Sequence, residues 1–134
     1  MTDIIWDDSY RIGIEKIDEQ HQGFFALFNE LEQALEAENT EEAVTKTLDA
    51  LFEYVQMHFD EEERLMLEQK YPALEEHVAV HVAFVKQIWG MLQVCNDQQR
   101  FVIELLQMMK DWLVTHNTSM DILLGSYLNE RSIR

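Results

Sequence analysis

Apolar side chains recur along this chain at alternating steps of three and four residues, and only a helix brings residues so spaced onto one stripe. One stripe runs Val44, Leu48, Leu51, Val55, His58, Glu62, and another Leu74, His77, His81, Phe84, Ile88, Leu92. An earlier stripe has His21, Phe28 and Leu35 with Phe24 and Leu31 between them, and a later one has Leu105, Met109, Trp112 and His116. Four Gly and one Pro in 134 residues leave little turn material for a β architecture. Breaks at Asp18, Asn39-Thr40, Tyr71-Pro72 and Asn96-Asp97 delimit helices at about 18–38, 40–65, 72–95 and 97–117, after an arm of residues 1–17. Asn39 with Glu42 and Asn96 with Gln99 have capping-box spacing, and Pro72 suits a first helical position. Connections this short make neighbouring helices antiparallel. The expected fold is all-α, an up-down-up-down antiparallel four-helix bundle forming a single domain over residues 1–134.

Charge narrows the possible partners. With 26 acidic against 10 basic side chains, a net charge of -16 disfavours nucleic acid and anionic membrane surfaces. The start, Met1-Thr2-Asp3-Ile4-Ile5-Trp6, is not a basic stretch followed by an apolar one, and no apolar run approaches the roughly 18 residues of a membrane span. Cys95, the single cysteine, reads as a small buried apolar residue suited to a reducing compartment. A cytoplasmic protein without nucleic-acid or membrane partners is expected.

The histidines do not fit a plain core. All five lie on the apolar stripes, which chance placement on about two seam positions in seven would produce roughly once in 500 sequences. Glu62 shares a stripe with His58, and a buried carboxylate without a partner costs several kcal/mol that a buried cation offsets. Height along the bundle agrees, at a rise of about 1.5 Å per residue. His21 lies roughly 5 Å into its helix, His58 roughly 27 Å along the returning one, His77 and His81 roughly 8 and 14 Å into the third, and His116 roughly 28 Å along the fourth. All five therefore meet in one layer. His58 with Glu62 and His77 with His81 are i, i+4 pairs that reach a common ion or ion pair. Asp121 follows His116 by five, slightly off the stripe, so on spacing alone it either reaches the same layer through a stretched or unwound helix end or lies on the solvated surface. The run Asp60-Glu61-Glu62-Glu63 falls at an expected helix C-terminus, where the dipole disfavours negative charge. Asp60, Glu61 and Glu63 read as a solvated face, and Glu62 points inward.

These residues also form a recognisable set of motifs. His58-Phe59-Asp60-Glu61-Glu62-Glu63-Arg64-Leu65-Met66 matches HFxxEExxM, and Tyr71-Pro72, His77, His81 and Phe84 continue as YPxxxxHxxxHxxF. Gly13-Ile14 with Ile17-Asp18-Glu19-Gln20-His21 matches GIxxIDxQH, and Trp112, His116 and Asp121 match WxxxHxxxxD. In these, over nearly its whole length, the chain resembles the bacterial hemerythrins. It departs from them at Asn117-Thr118, where more apolar residues are usual, and at Leu124, where an aromatic is common.

The resemblance implies a cofactor of two iron ions joined by an oxo or hydroxo bridge. One iron would be held by His77, His81 and His116 and the other by His21 and His58, with Glu62 and Asp121 bridging them. Two six-coordinate irons need roughly twelve bonds. Five imidazoles and two bridging carboxylates supply about nine and the bridge about two more, leaving a vacancy on the iron with two histidines. The implied function is reversible binding of dioxygen there, as a carrier or store and not as an enzyme. Phe24, Phe25, Phe59, Met66, Trp112 and Met120 are candidates for an apolar wall around it.

Four other readings share the bundle or the ligands. A ferritin-like oxygenase or ferroxidase would need Glu-x-x-His pairs, and the residues three before the histidines are Asp18, Val55, Leu74, Val78 and Leu113. The remaining three are an oxygen or redox sensor acting through a separate protein partner, a di-iron enzyme handling peroxide or nitric oxide or an iron-repair protein of the same superfamily, and a structural zinc bundle. Zinc would be content with fewer ligands.

Overall fold

A computed structural model describes residues 4–36, 41–94, 97–116 and 119–134, apart from the side chains of residues 43 and 44. After a 3-10 turn at Asp8–Tyr10 come helices α1 (Glu15–Glu36), α2 (Glu41–Glu68), α3 (Leu74–Val94), α4 (Gln98–Thr115) and α5 (Met120–Glu130). No strand occurs among the described residues. α1 packs on α2 and α4, α2 on α3, and α3 on α4. This closed ring is the antiparallel four-helix bundle expected from the stripes.

Those stripes meet as one core. Phe24, Phe28 and Leu31 of α1 are buried with Leu48, Leu51 and Val55 of α2, Phe84 and Ile88 of α3, and Leu105 and Met109 of α4. At the far end the third stripe surfaces, and Leu92 is 39% exposed. No described helix is long and apolar enough to cross a membrane.

Several expected boundaries shift. α1 begins at Glu15 rather than at Asp18, so the arm is shorter than 17 residues. Asp18 lies inside the first turn, and its carboxylate reaches back to accept from the backbone N–H of Ile12 at 2.8 Å and of Gly13 at 3.3 Å. The side chain therefore fixes the turn before the helix and does not start it. α2 runs on to Glu68, so the acidic run Asp60-Glu61-Glu62-Glu63 lies in its body and not at its end. Pro72 sits in the turn before α3, which begins at Leu74. Asp97 caps α4, its side chain accepting from Gln99 N. The expected caps at Asn39 and Asn96, along with Cys95, Asn117 and Thr118, lie outside the described residues.

Helix α5 was not expected at all. Its Leu124 and Leu128 are fully buried with Ile12, Ile14, Ile17 and Met66 in a second cluster beneath the site. Burying two leucines contributes about 3–6 kcal/mol, far more than an 11-residue helix draws from propensity. Two glycines let the arm lie across it. Gly13 has φ +90, a left-handed conformation, and Asn129 donates to its carbonyl at 2.9 Å. Gly125 faces the arm backbone so closely that a Cβ there would stand 1.9 Å from the Ile12 carbonyl oxygen.

Candidate metal centre

Each helix delivers its donors at one level. α1 carries His21, α2 carries His58 and Glu62, α3 carries His77 and His81, and His116 closes the end of α4. Asp121 comes from the first turn of α5. The α4 helix stops at Thr115 and α5 starts at Met120, and the N–H of Asp121 donates to the His116 carbonyl at 3.2 Å. That five-residue closure is the stretched helix end that the spacing allows.

All five imidazoles turn Nε2 inward onto the two carboxylates. Nε2 of His58, His77 and His81 lie 3.5, 3.7 and 3.3 Å from Glu62 Oε1. Nε2 of His77 and His116 each lie 3.1 Å from Asp121 Oδ1, and Nε2 of His21 lies 3.3 Å from Oδ2. One oxygen of Asp121 thus faces α3 and α4 while the other faces α1. Two overlapping groups result, Glu62, His77, His81, His116 and Asp121, and His21, His58, Glu62 and Asp121, with the donor atoms of each within 4.8 Å of one another. The seven residues named from the sequence are brought together, and every one is buried.

Contact at these distances is not the same as satisfaction. Both carboxylate oxygens of Glu62 and of Asp121 lack a hydrogen-bond partner among the described residues, as do Nε2 of His77, His81 and His116. Buried polar atoms orphaned in this way each cost about 1–3 kcal/mol, and so many facing one point call for a cation. The donor set, imidazole nitrogen with carboxylate oxygen, suits iron or zinc and not calcium or magnesium. The residues present fit a pair of metal ions.

The charges behave accordingly. Burial works to lower the pKa of His77, but the Asp121 and Glu62 carboxylates facing it raise it to about 9. His21 is raised as well, against its burial, by Asp121. Burial wins at His58, which is lowered to about 4 with the adjacent His21 adding to the effect. Burial and the Asp121 charge push the Glu62 pKa upward, yet the surrounding imidazoles of His58, His77 and His81 hold it at about 2. Burial likewise pushes Asp121 upward, but His116, His21 and His77 hold it well below the usual carboxylate range, so both carboxylates are anionic and ready to meet a cation.

Two outer contacts were missed from the sequence. The buried Gln20 places Oε1 2.8 Å from His58 Nδ1. Glu63, read as a solvated residue, places Oε2 3.1 Å from His81 Nδ1 while remaining 34% exposed in its side chain. The local signal for each is only adjacency, Gln20 beside His21 and Glu63 beside Glu62, because each serves a histidine on another helix. Aromatic rings complete the surroundings. Phe59 stacks on His81 at 3.8 Å and 3°, Trp112 stacks on His116 at 4.0 Å and 18°, and Phe84 lies 4.2 Å from Trp112. On the other side Phe24 stands 6.3 Å from His58. Phe25 instead packs against Trp6 and Tyr10 of the arm, and Met66 belongs to the cluster beneath α5. Met120 is half-buried at the start of α5.

Comparison with known proteins decides the family. Residues 12–128 match the hemerythrin HHE cation-binding domain. The chain belongs to the hemerythrin family. A bacteriohemerythrin of Methylococcus capsulatus is 35% identical over 120 residues, covering 84% of this chain and 86% of that protein. A bacteriohemerythrin of Stenotrophomonas maltophilia is 32% identical over 116 residues, covering 87% and 75%. A myohemerythrin of Theromyzon tessulatum is 29% identical over 111 residues, covering 83% and 82%. Hemerythrins bind a pair of irons, and this chain presents a buried His, Glu and Asp cluster able to hold them.

Proposed function

We propose that this hemerythrin binds dioxygen reversibly at its di-iron centre, as a carrier or store and not as an enzyme. His77, His81 and His116 would hold one iron, His21 and His58 the other, and Glu62 and Asp121 would serve both. The observation that carries the reading is the sharing of both carboxylates between a group of three imidazoles and a group of two. Unequal imidazole numbers leave the α1 and α2 side with room for a small exogenous ligand. The pair of irons would supply, one from each, the two electrons that dioxygen takes up on binding and returns on release.

The chain's own part is to position donors and keep the chamber dry. Phe24, Phe59 and Phe84 are buried, with Trp112 half-buried beside them, so the rings exclude water from the imidazoles they cover. Fewer water molecules mean fewer proton donors, and loss of reduced oxygen as peroxide needs protons. Outward donation from Nδ1 of His58 to Gln20 and of His81 to Glu63 keeps each ring's Nε2 free to face inward.

Repeated oxygenation of the reduced protein tests this reading, followed by optical spectroscopy with hydrogen peroxide assayed in the same cell. One dioxygen per iron pair, returned intact over several cycles, is the expected result. Stoichiometric peroxide on the first cycle would overturn it and favour a di-iron enzyme, or a sensor acting through a separate partner.

A further inference from the structure

The five imidazoles are alike at their inner nitrogens and unlike at their outer ones. His58 Nδ1 meets a neutral amide oxygen, Gln20 Oε1, at 2.8 Å. His81 Nδ1 meets a carboxylate oxygen, Glu63 Oε2, at 3.1 Å. The outer nitrogens of His21, His77 and His116 have no hydrogen-bond partner among the described residues. Each group of imidazoles thus holds one ring with an outer acceptor, and the two acceptors differ in charge.

That difference has an electronic consequence. An acceptor at Nδ1 pulls the ring proton outward and makes Nε2 a stronger donor. A carboxylate does so more strongly than an amide, because hydrogen bonds to charged groups are roughly twice as strong as neutral ones. A stronger donor stabilises the higher oxidation state of the metal it holds. Resting on the ligand assignment proposed above, we infer that Gln20 and Glu63 are positioning residues that make the two irons unequal. Glu63 favours the ferric state of the iron held by His81, and the neutral Gln20 keeps the iron held by His58 the more easily reduced. A carboxylate at position 20 would be nearly dry, since Gln20 is 7% exposed, whereas water partly screens Glu63. Changing position 20 therefore has the larger effect.

Three variants read this out, Gln20→Glu, Gln20→Leu and Glu63→Gln. Iron per chain is counted first, and each one-electron ferric-to-ferrous step is then titrated with mediators at an electrode. Gln20→Glu is expected to lower the midpoint potential of one iron, and Glu63→Gln to raise that of the other by a smaller shift. Zinc binding to the metal-free protein, by chelator competition, gives a readout independent of oxygen. Gln20→Leu should weaken one of two zinc sites by about 10–100-fold, and Gln20→Glu should restore it. If Gln20→Leu does not fold, the nearly isosteric Gln20→Glu and the partly exposed Glu63→Gln still decide the matter. Two irons with unshifted potentials in both would overturn this inference and leave the di-iron reading standing. A wild-type protein that takes up no iron pair would remove the reading beneath it.

Discussion

The half of the centre carried by α1 and α2 and the half carried by α3 and α4 offer the same inner atom in different surroundings. On the first side His21 and His58 bring their Nε2 atoms within 3.0 Å of each other, with a neutral amide behind one ring. On the second side three imidazoles face the carboxylates, two of them covered by stacked aromatic rings. The shared acids make the halves one centre, and the donors around them make the halves unequal. One half is thus built to enclose an ion, and the other to hold it with fewer contacts.

The most damaging way to break the comparison is to remove what the halves share. Glu62→Ala and Asp121→Ala should each lower iron content from about two per chain toward none, since the lost carboxylate faces both groups. Iron assay with circular dichroism as a folding control checks this. A folded Glu62→Ala protein that keeps both irons would show that the acid does not bridge.

Removing one histidine from each side should give unequal losses. His58→Ala is expected to leave about one iron per chain and abolish dioxygen uptake. His81→Ala leaves two imidazoles on its side and should weaken iron binding there before it removes it. A normal oxygenated spectrum in His58→Ala would refute the assignment of the open side.

How much of this was legible in sequence depends on how local each signal is. The stripe of His58 and Glu62 and that of His77 and His81 are written within single helices, so both the bundle and the common level of the histidines could be read. Gln20 and Glu63 act across helices, which no periodicity records. Helix α5 was missed because its buried positions, Asp121, Leu124 and Leu128, follow a break at His116 and leave only a short pattern. Its partner surface, Ile12, Ile14 and Ile17, sits in and just beyond the arm, far away in the chain. The displaced start of α1 has a similar origin, because Asp18 resembles a cap but serves backbone groups that precede the helix.

Protons sharpen the comparison further. In the metal-free protein His77 is raised from 6.5 to about 9, while His58 is lowered to about 4. The contribution of His77 to folding is complete below its unfolded value and fades as pH rises through about 9. That of His58 is present above its unfolded value and fades as pH falls through about 4. Metal must displace the His77 proton at neutral pH, so zinc affinity should rise by up to about tenfold per pH unit between roughly pH 7 and 9. Chelator competition across that range measures it. A flat profile would mean that the α3 and α4 side is already unprotonated at neutral pH.

The smallest expected effect concerns a residue that belongs to neither half. Gly125 supports the helix that carries Asp121, and a methyl group there would meet the Ile12 carbonyl at 1.9 Å. Backbone cannot swing aside as a side chain can, so Gly125→Ala should force α5 and the arm apart at a cost of about 2 kcal/mol, the usual range for overpacking. Because the displaced acid faces His21 with one oxygen and His77 and His116 with the other, iron affinity should fall on both sides together. Thermal denaturation of the metal-free protein gives the stability change, and stepwise iron removal with a chelator gives the two affinities. Loss from one side alone would mean that Asp121 belongs to that half, and the symmetry of the shared acids would then rest on Glu62.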